Sequence, residues 1–194
     1  MLPQRLPTEY TEVTDGGVTV LPLRTDFTVW MRFEELITDS RIPEDRLVIT
    51  ALRLIFPVMP RDLSRAAMFM LWFYRCGAPP AAHDSEGGAM LSSRRAYSYD
   101  ADFPMIAAAF YEKYGIDLWE TRMHWWKFRG LFMGLHDCRF TDICGWRTAD
   151  ITDDMPDYRR DFLEKMQLTY ALPVSANELR MIEAARRYLD GCES

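Results

Sequence analysis

The chain has 194 residues, 48% of them hydrophobic and 27% charged, the composition of a water-soluble globular protein long enough for one core with or without extensions. A net charge of −6 and an isoelectric point near 5.1 argue against a general nucleic-acid binder, because no basic stripe is available to neutralise phosphates. No uncharged apolar run approaches membrane-spanning length, and Met1-Leu-Pro-Gln-Arg-Leu-Pro7 lacks the apolar core of a signal peptide, so a cytosolic protein with no membrane partner is expected.

Residues 9–23 place β-branched side chains on both sides of Asp15-Gly16-Gly17, the short-range signature of a β-hairpin, and Pro22 ends it or confines it to an edge. The period then becomes helical. Thr25 or Asp26 can cap a helix whose apolar side is Val29, Trp30, Phe33, Leu36 and Ile37. Pro43 opens a second helix and Pro57 stops it; Pro60 opens a third, over 61–76, that ends at Gly77. The run Met68-Phe-Met-Leu-Trp-Phe-Tyr74 makes this third helix apolar almost all round, so it is expected to lie innermost. Residues 77–96 have no period and abundant breakers, which predicts a flexible loop over 78–95.

Asp100 or Asp102 is expected to cap the next helix, closed by Gly115. Asp117 and Glu120 have capping-box spacing and predict a helix over 118–135. On that helix Trp119, Met123, Trp126 and Met133 share one face, and Trp125, Phe128, Leu131, Phe132 and Leu135 the other. One-sided amphipathicity does not produce such a pattern. The helix is either sandwiched in a bundle or packed on its own domain on one side and on a partner on the other. A short helix near 140–146, an acidic stretch over 148–157, a charged amphipathic helix over 156–170 and a last helix opened by Ser175-Ala-Asn-Glu178 complete the chain. The sum is a mainly α fold, a compact helical domain of about six to seven helices with a short N-terminal β-hairpin. Its expected divisions are an N-terminal arm and hairpin over 1–24, a helical core over 25–147 and a C-terminal helical extension over 148–194.

Catalytic signatures are missing. There is no Gly-rich phosphate loop, no Gly-x-Ser-x-Gly and no His-Glu-x-x-His. His124 has no carboxylate one helical turn away to orient it. His136, Cys138 and Cys144 do not follow zinc spacing, and Asp150, Asp153, Asp154 and Asp157 lack the ligand order and central glycine of an EF-hand. The four scattered cysteines read as reduced thiols. No enzyme activity, metal or cofactor is therefore expected. Six Trp and twelve Met point instead to function carried by apolar surface, since these side chains suit adaptable interfaces. The candidate partner-binding residues are Phe27, Trp30 and Phe33, together with Trp119, Trp125, Trp126 and Phe128.

Four blocks carry a resemblance. They are Thr25-Asp-Phe-Thr-Val-Trp-Met-Arg-Phe-Glu-Glu-Leu-Ile-Thr-Asp39, Met70-Leu-Trp-Phe-Tyr-Arg-Cys-Gly77, Tyr97-Ser-Tyr-Asp-Ala-Asp102 running into Ala107-Ala-Ala-Phe110, and Tyr114-Gly-Ile-Asp-Leu118 followed by His124-Trp-Trp-Lys-Phe-Arg129. Together they resemble a small phage tail-assembly protein family (the "Gp fifteen" type) of long-tailed phages and prophages, chiefly of Gram-positive hosts. The resemblance covers roughly residues 9–170, and its most specific part is His124-Trp-Trp-Lys-Phe128 after Tyr114-Gly-Ile-Asp-Leu118. Such genes usually lie between those of the major tail protein and the tape-measure protein, and encode tail-assembly chaperones, often as two products joined by a ribosomal frameshift. The resemblance thus implies a chaperone that binds the tape-measure protein in the cytoplasm of the infected host and is absent from the mature virion. It brings the major tail protein, a companion chaperone and a second copy of this chain as further partners, and no catalytic residues. The alternative it leaves is a structural virion component, a tail or connector subunit.

Overall fold

A computed structural model describes residues 5–39, 41–79 and 95–173. Most of the loop expected over 78–95, and the helix expected from Ser175, lie outside them. Among the described residues a hairpin, β1 (Glu9–Thr14) and β2 (Gly17–Pro22), precedes seven helices. These are α1 (Phe27–Thr38), α2 (Glu44–Ile55), α3 (Leu63–Tyr74), α4 (Tyr99–Tyr114), α5 (Trp125–Met133), α6 (Arg139–Thr148) and α7 (Asp157–Thr169). The fold is mainly α with a short N-terminal hairpin, as the sequence predicts. Two compact units divide after Gly77: the first holds the hairpin and α1–α3, the second α4–α7. The division falls inside the 25–147 stretch that reads from sequence as one helical core.

In the first unit the strands pair antiparallel with Thr14 opposite Gly17, so Asp15-Gly16 make the turn and Gly17 takes a φ of +113° that suits only glycine. The inner face presents Tyr10, Glu12 and Leu21, all buried. Tyr10 packs edge-on against Phe56 at 5.6 Å and against Phe69 at 4.9 Å. The Glu12 carboxylate accepts the Asp62 backbone N–H at 2.6 Å, tying the hairpin to the start of α3. Asp26 caps α1 by accepting from the Thr28 N–H at 3.1 Å. Trp30 stacks on Phe73 of α3 at 4.5 Å and donates its indole N–H to the Arg24 carbonyl at 2.8 Å, so its one polar atom is satisfied within the core.

α3 is not enclosed on all sides. Ala66, Met70 and Phe73 are buried, whereas Leu63, Met68, Leu71 and Trp72 are exposed, Met68 at 69%. Among the described residues, the first unit's core takes one side of α3 and leaves the other side exposed.

The second unit centres on α5. Trp125, Phe128 and Phe132, at i, i+3 and i+7, form its buried stripe. Phe128 stacks on Phe110 of α4 at 5.1 Å, on Trp125 at 5.8 Å and on Phe132 at 5.7 Å. Tyr99 meets Trp125, Phe128 and Phe132 edge-on, and Arg129 donates to the hydroxyls of Tyr99 at 2.9 Å and Tyr97 at 3.2 Å. Two local expectations are corrected. Ser98, not Asp100 or Asp102, caps α4, accepting from the Ala101 N–H. α5 begins at Trp125 and not at 118, because Asp117 accepts from the Trp119 N–H at 2.9 Å in a turn while the imidazole Nδ1 of His124 accepts from the Trp126 N–H at 3.1 Å and caps the helix instead. Trp119 and Met123 therefore share no helical face with Trp126 and Met133.

Candidate functional site

Seven aromatics stand out in the sequence as partner-binding candidates, and the fold separates them. Phe27, Trp30 and Phe33 lie fully inside the first unit, and Trp125 and Phe128 fully inside the second. Each fills space between helices of its own unit, so none offers a surface for a partner without opening the core. Trp126 is half-buried beside the His124 ring. Trp119 is 68% exposed, standing edge-on to Phe103 at 4.7 Å. Of the seven, Trp119 is the side chain best placed to meet another molecule.

The apolar surface lies mainly elsewhere, on side chains that periodicity assigns to the interior or leaves unassigned. On α3, Met68 and Leu71 lie one turn apart on the outer side with Trp72 beside them. Arg65 stands one turn before Met68, largely exposed and paired loosely with Asp62 at 3.4 Å. On the hairpin, Val13, Val18 and Val20 point away from the core. On α7, Tyr158, Phe162 and Leu168 are exposed, while Leu163 faces inward.

Beneath the second unit's surface sits a charge pair that the sequence does not flag. Asp102 of α4 and Arg147 of α6 are both buried and pair through two hydrogen bonds, Nη1 to Oδ2 at 2.6 Å and Nη2 to Oδ1 at 2.9 Å. The remaining donors of Arg147 reach the Tyr170 carbonyl at 2.6 Å and the Ala96 carbonyl at 3.1 Å, and Asp102 also accepts from the Ser98 N–H at 3.0 Å. The guanidinium thereby joins the start of α4, the end of α6 and the residue after α7. Every charged oxygen has a donor, the condition under which a buried pair holds a structure together. Nearby, Arg139 lies over the Trp146 ring at 4.7 Å and donates to the Tyr170 hydroxyl at 2.6 Å.

Among the described residues no three His, Cys, Asp or Glu side chains gather where they could share a metal ion. Cys76, Cys138 and Cys144 are free thiols, and burial pushes that of Cys144 up to about 11, away from a reactive thiolate. His136 Nδ1 lies 2.9 Å from the Gly134 carbonyl, on an exposed loop. No helix among the described residues is long and apolar enough to cross a membrane.

Residues 11–172 match the family model described as Bacteriophage Gp15 protein. The chain belongs to that family. The match takes in both units and ends just after Tyr170, the residue whose carbonyl Arg147 holds. No curated protein and no solved structure gives a match to set beside it.

Proposed function

We propose that this phage protein is a non-enzymatic chaperone of long-tail assembly that binds helical, apolar segments of the tape-measure protein before the tail tube encloses them. The observation that carries the reading is the outer side of α3. Its inner side already supplies Ala66, Met70 and Phe73 to the core, yet Met68 is 69% and Leu71 38% exposed. Met and Leu one turn apart, with Arg65 a further turn away, match what the apolar face of an amphipathic helix with acidic flanks would contact. Trp119 supplies a second apolar contact on the other unit. The net charge of −6 keeps such surface soluble. In this reading the protein acts in the host cytoplasm, is left out of the virion, and can meet the major tail protein and a companion chaperone in the same assembly.

The test is co-expression with the tape-measure protein of the same phage genome. The wild-type chain should co-purify with it. Met68→Glu and Leu71→Glu should weaken capture at least tenfold, and Met68→Glu should leave the melting temperature within a few degrees, because most of that side chain is exposed. Capture unaffected by both changes removes α3 as the contact. Presence of the chain at fixed stoichiometry in purified virions replaces the chaperone reading with that of a structural tail component.

A further inference from the structure

The hairpin has two edges that differ in chemistry. Thr14 opposite Gly17, and Leu23 donating to the Thr8 carbonyl at 3.0 Å, set which residues bond across the hairpin. By the antiparallel alternation, the backbone groups of Glu9, Thr11 and Val13 point out of the β1 edge, and those of Val18 and Val20 out of the β2 edge. Soluble proteins guard such edges with charge. β1 carries the exposed Glu9 among its edge residues; β2, Gly17-Val-Thr-Val-Leu-Pro22, carries no charged residue. Its valines also stand on the outward face, Val18 at 68% and Val20 at 53% exposed, with Val13 at 58% beside them.

We propose that β2 pairs antiparallel with β2 of a second copy of this chain, closing two hairpins into one four-stranded sheet. The strand is self-complementary. Placing Thr19 opposite the second copy's Thr19 sets Val18 against the second copy's Val20 and the reverse, so the outward N–H and C=O groups of both strands are satisfied by about four hydrogen bonds. The same register brings the valines of both copies onto one continuous face. Net charges of −6 oppose the meeting of two copies, and β2 is the edge along which they can pair without setting one carboxylate against another. Joining β2 to the β1 edge of the next copy would leave a free edge at each end and propagate; β2 on β2 is two-fold and closes. Six residues on each side bury less than a standard interface, so the pairing is weak and depends on concentration.

Sedimentation velocity on the full chain from about 5 to 500 µM, a range suited to an interface below standard size, tests the pairing. The wild type should pass from monomer to dimer across the range. Val18→Lys puts a charge on the edge. Val20→Pro removes an outward N–H and spares the β1–β2 ladder. Each should shift the midpoint at least tenfold upward with an unchanged circular dichroism spectrum. As an independent readout, Thr19→Cys should form an inter-chain disulfide at residue 19 on oxidation, assigned by mass spectrometry, and Thr11→Cys should not. A chain monomeric throughout overturns the proposal. So does a dimer that survives both variants, or one whose Thr19→Cys form does not cross-link.

Discussion

The two units use the same kinds of side chain but are closed by different means. The first is held by rings and aliphatic groups: Trp30 on Phe73, Tyr10 on Phe56 and Phe69, with single hydrogen bonds from Trp30 to the Arg24 carbonyl and from the Asp62 N–H to Glu12. The second has an equally aromatic centre around Phe128, but its three helix ends meet on one buried guanidinium. Packing is graded: each lost methylene costs a little. A buried charge pair is all or nothing, because either half left alone is worse than neither.

The largest expected effects test that contrast. Trp30→Ala and Arg147→Ala should each cost about 3–5 kcal/mol in urea unfolding, the first through a cavity and the second through an orphaned Asp102. The costs should differ in how they are rescued. Asp102→Leu combined with Arg147→Met should recover most of the lost stability, since an apolar pair of similar size needs no partner. If the double variant is as unstable as Arg147→Ala, the contacts to the Ala96 and Tyr170 carbonyls matter more than the ion pair. Next in size, Glu12→Ala should cost about 1–3 kcal/mol by leaving the Asp62 N–H without its acceptor, whereas Glu12→Gln keeps an oxygen in place and should cost less. A Gln variant as damaging as Ala would show that the charge itself is needed in the first unit too.

Smaller still is an alkaline effect present in both units. Burial raises the Cys144 thiol from its ordinary 9.0 to about 11, and burial, followed by the nearby Glu12 carboxylate, raises the Tyr10 hydroxyl above 10.0. A raised folded value means that the fold prefers the neutral form. The stabilisation is complete below the unfolded value and is lost as pH rises through the folded one. Unfolding midpoints between pH 9 and 11 should therefore fall more for the wild type than for Cys144→Ala, and Tyr10→Phe should flatten the decline above pH 10. Parallel curves for wild type and variants would mean that neither group couples to folding. The smallest effect belongs to Met68→Glu, expected to stay within about 0.5 kcal/mol of wild type because its side chain touches little.

Much of the architecture is readable in the chain because punctuation is local. Asp26, Pro43, Pro57, Gly77 and Gly115 mark helix ends through their own side chains or backbone freedom, and the helices lie where they indicate. What sequence misplaces depends on competition or distance. Asp117 has the spacing of a capping box, yet its carboxylate is used two residues on, and His124 takes over the cap. Periodicity shows that α3 is apolar on most sides but not how many layers exist to cover it. The same blindness leaves Phe27, Trp30 and Phe33 looking like a docking stripe when they are core. Asp102 and Arg147 are 45 residues apart, and an Arg on a short helix gives no local sign that it will be buried.

The Arg147 clasp also fixes how far the second unit must extend. Its Nε–H is held by the carbonyl of Tyr170, one residue beyond the end of α7, and the Tyr170 ring and hydroxyl engage Arg139. A stop codon placed after Leu172 keeps both. One placed before Tyr170 leaves α7 nearly whole but strips a buried donor of its acceptor. For the second unit, the C-terminal limit is set by that carbonyl and not by the last turn of helix.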